Sequence, residues 1–227
     1  AVDGNGCDPI PLGTWRVGPA SRLDILMRTP NSGGTARLMD YFSPEPIVLT
    51  EFSSEGTARR TGPFVPVPLI RMPYKIADRA SAERIPFAFS STATGKAIAD
   101  LGALMGNIQI GKLCLSKKTL WAINKQSWAS TDHSDSGPAL AALQLGKSYI
   151  FELHNQTPQS HPIHIHGHTF EVMGSSLRTA PPHRADTVLL RPKERLEVAI
   201  VADNAGKWMF HCHILEHQES GMMGYLS

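Results

Sequence analysis

The stretch His211-Cys212-His213-Ile214-Leu215-Glu216-His217-Gln218-Glu219-Ser220-Gly221-Met222 places one thiol, three imidazoles and a thioether within twelve residues. Thiolate and thioether are soft metal ligands and imidazole is borderline. Two His, one Cys and a weak axial Met make a blue-copper electron-transfer site. The stretch supplies Cys212, His217 and Met222, so one more His is required. The segment His161-Pro162-Ile163-His164-Ile165-His166 is where it can come from.

Parity organises these residues further. Neighbouring side chains of an extended strand point to opposite faces. His211 and His213 then share one face and Cys212 takes the other. Likewise His164 and His166 share a face, while His161 has the opposite parity. Side by side, two such segments make a mononuclear site backed by a cluster of four His. Cys212 is joined through its own backbone to members of that cluster, which amounts to a wire between two metal centres.

The pattern His-x-x-His-x-His followed by His-Cys-His-x3-His-x4-Met resembles the C-terminal copper motifs of multicopper oxidases: laccases, cuprous oxidases and their relatives. The resemblance implies that His161, Cys212, His217 and Met222 hold a type 1 copper, with Met223 as packing. It implies His164 on a type 2 copper, and His166, His211 and His213 on a type 3 pair. Cys212, His211 and His213 would carry the electrons between the sites. In that family the trinuclear centre takes eight His, two His-x-His pairs from this end and two from the first domain, giving four coppers per complete assembly. This chain has no other His-x-His pair, and His133, His154, His168 and His183 are isolated from one another. The N-terminal half of the same oxidase, as a separate or cleaved chain, is therefore the expected partner. His168 is placed for a hydrogen bond behind the ligands or for solvent on a strand. His154 and His183 read as ordinary surface or core residues.

The elements that must position these groups read as strands. Ser148–Asn155, Thr169–Met173, Asp186–Leu190 and Leu196–Val201 are apolar or alternating, and Gly206–Phe210 leads into His211. Leu120–Trp128 resembles the "x-I-N-G-x-x-W" strand and turn that opens the last cupredoxin domain, with Lys125 where Gly is usual. Nearer the start, Val17–Arg28 reads as a turn feeding a strand and resembles a segment of the second domain of three-domain members. Asn31–Gly34 is a turn and Ala36–Tyr41 a strand. Residues 43–73 alternate prolines with short apolar runs, as edge strands and loops do. Ile108-Gln109-Ile110 alternates, and Ala97–Met105 reads as a helical turn or linker. Many short strands with frequent turns mean a β-sandwich. The expected fold is all-β: one complete cupredoxin Greek-key sandwich at 106–227, a linker at 74–105, and part of a second cupredoxin-like domain at 1–73. A partial domain exposes strand edges.

Composition narrows the alternatives. The 227 residues are 41% hydrophobic, with 19 Gly and 17 Pro. A net charge of +2 gives no case for nucleic acid, and no apolar run approaches membrane-spanning length. Ala1-Val2-Asp3-Gly4 has neither a basic start nor an apolar core, so no signal peptide is expected. With Cys212 on a metal, two of the three cysteines, Cys7 and Cys114, remain as a disulfide or as unrelated thiols. The family resemblance implies a periplasmic or secreted protein. Leu145-Gly146-Lys147-Ser148 is not a phosphate loop, because Ala141 stands where its first glycine belongs. Asn155-Gln156-Thr157 is a formal glycosylation sequon, but Pro158 and the adjacent metal segment argue against its use. Gln218 stands where many bacterial relatives carry a carboxylate, and a neutral amide cannot donate a proton to oxygen.

The expected activity is that of a laccase-like oxidase. A phenol, an aromatic amine or a metal ion would give single electrons at the edge of His217 or His161, and dioxygen would be reduced to water. A mononuclear blue-copper carrier would leave His164, His166, His211 and His213 without a role. A cupin metalloenzyme would use His164-x-His166-x4-Glu171, but Arg178 replaces its glycine and the His-Cys-His run goes unexplained. A zinc site would use the same Cys and His and would be colourless.

Overall fold

The computed structural model describes residues 1–70, 72–91, 120–128 and 137–227. The expectations for Ile108–Ile110, Ala97–Met105, Cys114 and His133 lie outside these residues. In chain order the described elements are β1 (Thr35–Asp40), β2 (Ile47–Ser53), β3 (Glu83–Ser91), β4 (Trp121–Ile123), β5 (Ser148–Asn155), β6 (His161–Ile165), β7 (Phe170–Ser175), β8 (His183–Ala185), β9 (Thr187–Leu190), β10 (Arg195–Val201), β11 (Trp208–Cys212), α1 (Leu215–Glu219) and β12 (Met223–Leu226).

The chain divides into two compact units, Asp24–Pro68 and the remainder. In the smaller unit β1 and β2 form an antiparallel ribbon with an irregularity at Leu38/Met39. Ile47, Val48, Leu49 and Phe52 of β2 are all exposed. The larger unit is a β-sandwich. One sheet runs β4-β3-β5-β10-β7-β8 and the other β12-β11-β6-β9. Alternation fills the space between them: Phe87, Phe89, Phe151 and Leu153 from the first sheet meet Ile163, Ile165 and Phe210 from the second, all almost fully buried. Phe87 sits 5.0 Å, centroid to centroid, from both Phe151 and Phe210. Each such ring removes roughly 2–3 kcal/mol worth of apolar surface from water.

Two expectations differ from the structure. Glu83–Ser91 falls in the expected linker, yet it is a strand of the six-stranded sheet, parallel to β5. Ile85, Phe87 and Phe89 alternate, and burying the last two outweighs the proline before them. Pro86 is tolerated because β4 covers only Phe89–Ser91. The backbone of Pro86 faces that open side, where Asn124 donates to its carbonyl at 3.1 Å. Second, no strand spans Val17–Arg28. Gly18–Ser21 closes a turn, and the Arg22 carbonyl accepts from the Asp3 N–H at 2.8 Å, so this backbone pairs with the chain start and not with a sheet.

Candidate metal centre

The ligand geometry follows from strand register. β6 and β11 are antiparallel neighbours with His211 opposite His164 and Cys212 opposite Ile163. Cys212 therefore points into the sandwich while His164, His166, His211 and His213 gather on the other side. After Cys212 the chain makes the single turn of α1, which brings His217 back over the thiol. The Cys212 N–H donates to the Met222 carbonyl at 3.0 Å and the Met222 N–H to the His217 carbonyl at 2.9 Å. This loop closes only through Gly221, at φ +116°. A methyl there would overlap Ser127 and the Trp121 carbonyl.

Cys212 Sγ lies 3.7 Å from His161 Nδ1 and 3.6 Å from His217 Nδ1, and the two nitrogens are 3.0 Å apart. The centre of that triangle is about 2 Å from each corner, the length of a transition-metal bond to N or S. His161, Cys212 and Met222 are fully buried and His217 is 8% exposed. Trp121 covers both imidazoles, its ring 5.2 Å from His161 and 4.6 Å from His217. Burial sets the protonation states. It lowers the His161 pKa to about 3 and the His217 pKa to about 4, and raises the Cys212 thiol to about 12. Near pH 7 the metal-free site is a dry, neutral set of two imidazoles and a thiol, and metal uptake must release the thiol proton. The site thus fits a copper ion in donor type, spacing and charge.

The second cluster has a different character. The rings of His164 and His166 are 4.8 Å apart, His166 and His211 5.2 Å, His211 and His213 5.4 Å, and His164 and His213 5.7 Å. Two of their Nδ1 atoms face acceptors. His211 Nδ1 is 2.9 Å from the Cys212 carbonyl, and His164 Nδ1 is 3.0 Å from the Asp186 carbonyl and 2.9 Å from Thr187 Oγ1. Protons lodged there leave the Nε2 lone pairs of His164 and His211 free, and His211 Nε2 lies 3.0 Å from His166 Nε2. Burial lowers the His211 pKa to about 4. His164, His166 and His213 are only half-buried. A cleft of about 440 Å³ opens beside His164 and His166, lined also by Lys75, Arg184, Asp186 and Asp203.

Behind His164 stands a charged chain that motif reasoning missed. Asp186 pairs with Arg22 at 2.6 Å. Buried Asp3 accepts from the N–H groups of Arg22, Asp186 and Thr187 at 2.8, 3.2 and 3.1 Å. Burial opposes ionisation of Asp186, but hydrogen bonds from His164, Arg22 and Thr187 hold its carboxyl well below the usual range. Burial raises the Asp3 carboxyl. Arg22 and Asp3 lie 164 and 183 residues from Asp186 in sequence, so no local signal marks them.

The other singled-out histidines fall as follows. His161 has no exposed edge: its Nε2 is 2.7 Å from buried Thr157 Oγ1. Electron uptake through that edge is therefore closed off, and His217 is the ring nearer the surface. His168 is buried, its Nδ1 3.3 Å from the His166 carbonyl. His183 packs edge-on to Trp15 and His154 lies half-exposed on β5. Gln218 is half-buried between the exposed Glu216 and Glu219.

Comparison with known proteins identifies the family. A family model described as multicopper oxidase matches residues 115–227. The chain is 36% identical over 102 residues to the multicopper oxidase MmcO of Mycobacterium tuberculosis, covering 45% of this chain and 18% of that protein. It is 39% identical over 87 residues to a laccase of Haloferax volcanii, covering 35% of this chain and 15% of that one. Among solved structures, the multi-copper oxidase of Pseudomonas thermotolerans superposes with a TM-score of 0.79 at 31% identity, over 100% of this chain and 48% of that one. The chain spans about half the length of the solved oxidases it matches and a smaller share of the curated relatives. With His161, Cys212 and His217 gathered round one point and a copper oxidase fold around them, the chain belongs to the multicopper oxidase family, whose C-terminal portion it resembles.

Proposed function

We propose that this chain is the C-terminal part of a laccase-like oxidase. It takes single electrons from a phenolic, aromatic-amine or metal-ion donor and delivers four of them to dioxygen, giving water. His161, Cys212, His217 and Met222 would hold the type 1 copper. His164 would serve the type 2 ion, and His166, His211 and His213 the type 3 pair. Copper, when bound, supplies the one-electron redox chemistry and the reduction of oxygen. The observation that carries the reading is the alternation at Cys212: its side chain lies in the closed pocket while the rings of His211 and His213 lie in the open cluster.

The protein residues contribute rigidity, dryness and access. Backbone hydrogen bonds from Cys212 to Met222 and from Met222 to His217 hold the loop, so charge can come and go without rearrangement. Trp121 keeps water from the two imidazoles. His217, at 8% exposure, is the contact for the donor, and a donor that need only touch one ring edge is selected loosely. The half-buried rings and the cleft beside them leave room for further ligands. We assign these to the N-terminal half of the same oxidase, as a separate or cleaved chain, with the ribbon at Asp24–Pro68 as part of the second cupredoxin domain. Its exposed apolar residues support that assignment. Among the described residues no helix is long and apolar enough to cross a membrane, and a periplasmic or secreted location accords with the family.

Copper quantitation, a visible spectrum and a denaturing gel on one active sample test this reading. Four coppers per assembly, an intense cysteine-to-copper band and a second species beside this chain are expected. One copper and no oxygen consumption would favour a simple electron carrier. A colourless sample that prefers zinc would overturn the proposal.

A further inference from the structure

Asn155-Gln156-Thr157 reads as a glycosylation sequon, but in the fold Asn155 is fully buried. Its amide orientation is fixed on both sides. Nδ2 faces carbonyl oxygens only, donating to Gln159 at 2.7 Å and Arg191 at 2.8 Å. Oδ1 accepts from the Thr157 N–H at 2.9 Å. Asn155 Oδ1 is also 2.8 Å from Thr157 Oγ1, which lies 2.7 Å from His161 Nε2.

Proton counting then leaves one satisfactory arrangement. Asn155 Oδ1 can only accept. Two buried oxygens at 2.8 Å repel unless a hydrogen lies between them, and only the threonine hydroxyl can supply it. That hydroxyl carries one hydrogen, so its oxygen must accept from His161, and the imidazole proton sits on Nε2. A neutral imidazole has one proton, so Nδ1 keeps its lone pair. Nδ1 is the atom 3.7 Å from Cys212 Sγ and 3.0 Å from His217 Nδ1.

We infer that Asn155 and Thr157 form a tautomer lock, positioning residues that hold the His161 proton on Nε2 and so present Nδ1 to the mononuclear site before any metal arrives. The inference rests on the copper reading of that site for its purpose, but not for the proton's location. The buried sequon is spent on this relay, and its Nδ2 is turned inward, away from any glycosylating enzyme. Without the lock, part of the population carries the proton on Nδ1 and must shift it before binding. Outer partners of metal-bound His are typically worth a factor of about 10–100 in metal affinity.

The test uses the 227-residue chain, uniformly ¹⁵N-labelled and metal-free. Long-range proton–nitrogen correlation distinguishes the two tautomers, and the spectrum of His161→Gln identifies the His161 signals among ten imidazoles. The expected wild-type form carries the proton on Nε2. Thr157→Val, nearly equal in volume, should mix the tautomers and weaken Cu(I) binding about 10–100-fold. Thr157→Ser should restore both. A wild-type Nδ1–H tautomer overturns the inference, whether or not the valine variant folds. So does a folded Thr157→Val with unchanged tautomer and affinity. If wild type shows Nε2–H but takes up no copper, the lock stands and the copper assignment falls.

Discussion

The two histidine clusters share a backbone and differ in almost everything else. His161, Cys212 and Met222 are fully buried, roofed by Trp121, and offer Nδ1 and Sγ to a point inside one sandwich. His164, His166 and His213 are half-buried, and the first two border a cleft of about 440 Å³. Under the proposed function, the difference matches what each place would do. A site that only exchanges electrons gains from being finished and dry before the metal arrives. A site where a substrate must arrive has to keep one side open.

Breaking the closed site should have the largest effect. Cys212→Ser removes the soft ligand and the covalent link at once. Turnover of the assembled oxidase should fall by about 10³-fold or more, about 4 kcal/mol of barrier. The visible band should vanish, while copper on the open cluster persists. Copper analysis and the spectrum of one sample check this, and loss of all copper would mean that the two sites are not separately built.

Acid should separate the clusters next. In the metal-free chain, burial lowers His161 to about 3 and His211 and His217 to about 4, against an ordinary value near 6.5. The unfolded chain binds more protons between those values, so stability rises with pH across the window and is lost as pH falls from about 6.5 towards 4. Three such groups give a slope of up to about 4 kcal/mol per pH unit. Two of the three belong to the closed site. His161→Gln should cut the slope by up to about 1.4 kcal/mol per pH unit, read by denaturant melts from pH 7 to 4.5.

Much of this was legible in the sequence, for definite reasons. Metal ligands are uncommon residue types at short spacings, so Cys212 and its neighbouring His declare their faces by parity alone. Ser148–Asn155 coincides with β5 because its ends are marked by polar turns. β3 was hidden by Pro86, which reads as a breaker unless the vacant side of the sheet is known. The one-turn helix α1 has no side-chain cap, so nothing announces it. Asp3 and Arg22, which hold Asp186 behind His164, come from the chain start, and such distant pairings leave no local trace.

That hidden chain gives a selective perturbation of the open cluster. Asp186→Ala deprives Arg22 and the Thr187 hydroxyl of their acceptor and frees the residue behind His164. In the complete oxidase, copper affinity at the cluster should drop about 10–100-fold, lowering the stoichiometry on dialysis. The band of the mononuclear site should keep its intensity. An equal loss at both sites would show that the Asp186 network supports the sandwich as a whole.

The smallest expected effect sharpens the closed site instead of breaking it. Trp121 roofs that site from β4, and β4 ends in a two-residue turn at Asn124 and Lys125, with φ of 51° and 64°. Both residues are left-handed, as a hairpin turn requires, and Asn-Gly is the preferred pair. Lys125 is exposed, so its side chain contributes no burial, while its Cβ costs about 1–2 kcal/mol in this conformation. Lys125→Gly removes that strain and returns part of the gain as greater freedom of the unfolded chain. Net stabilisation of about 0.5–1 kcal/mol is expected, seen as a higher denaturant midpoint at unchanged slope. Because the turn is bonded to β3 and adjoins the roof, copper should leave the mononuclear site more slowly while its retention on the open cluster stays the same. A lower midpoint would mean that Lys125 makes a favourable contact outweighing its backbone strain.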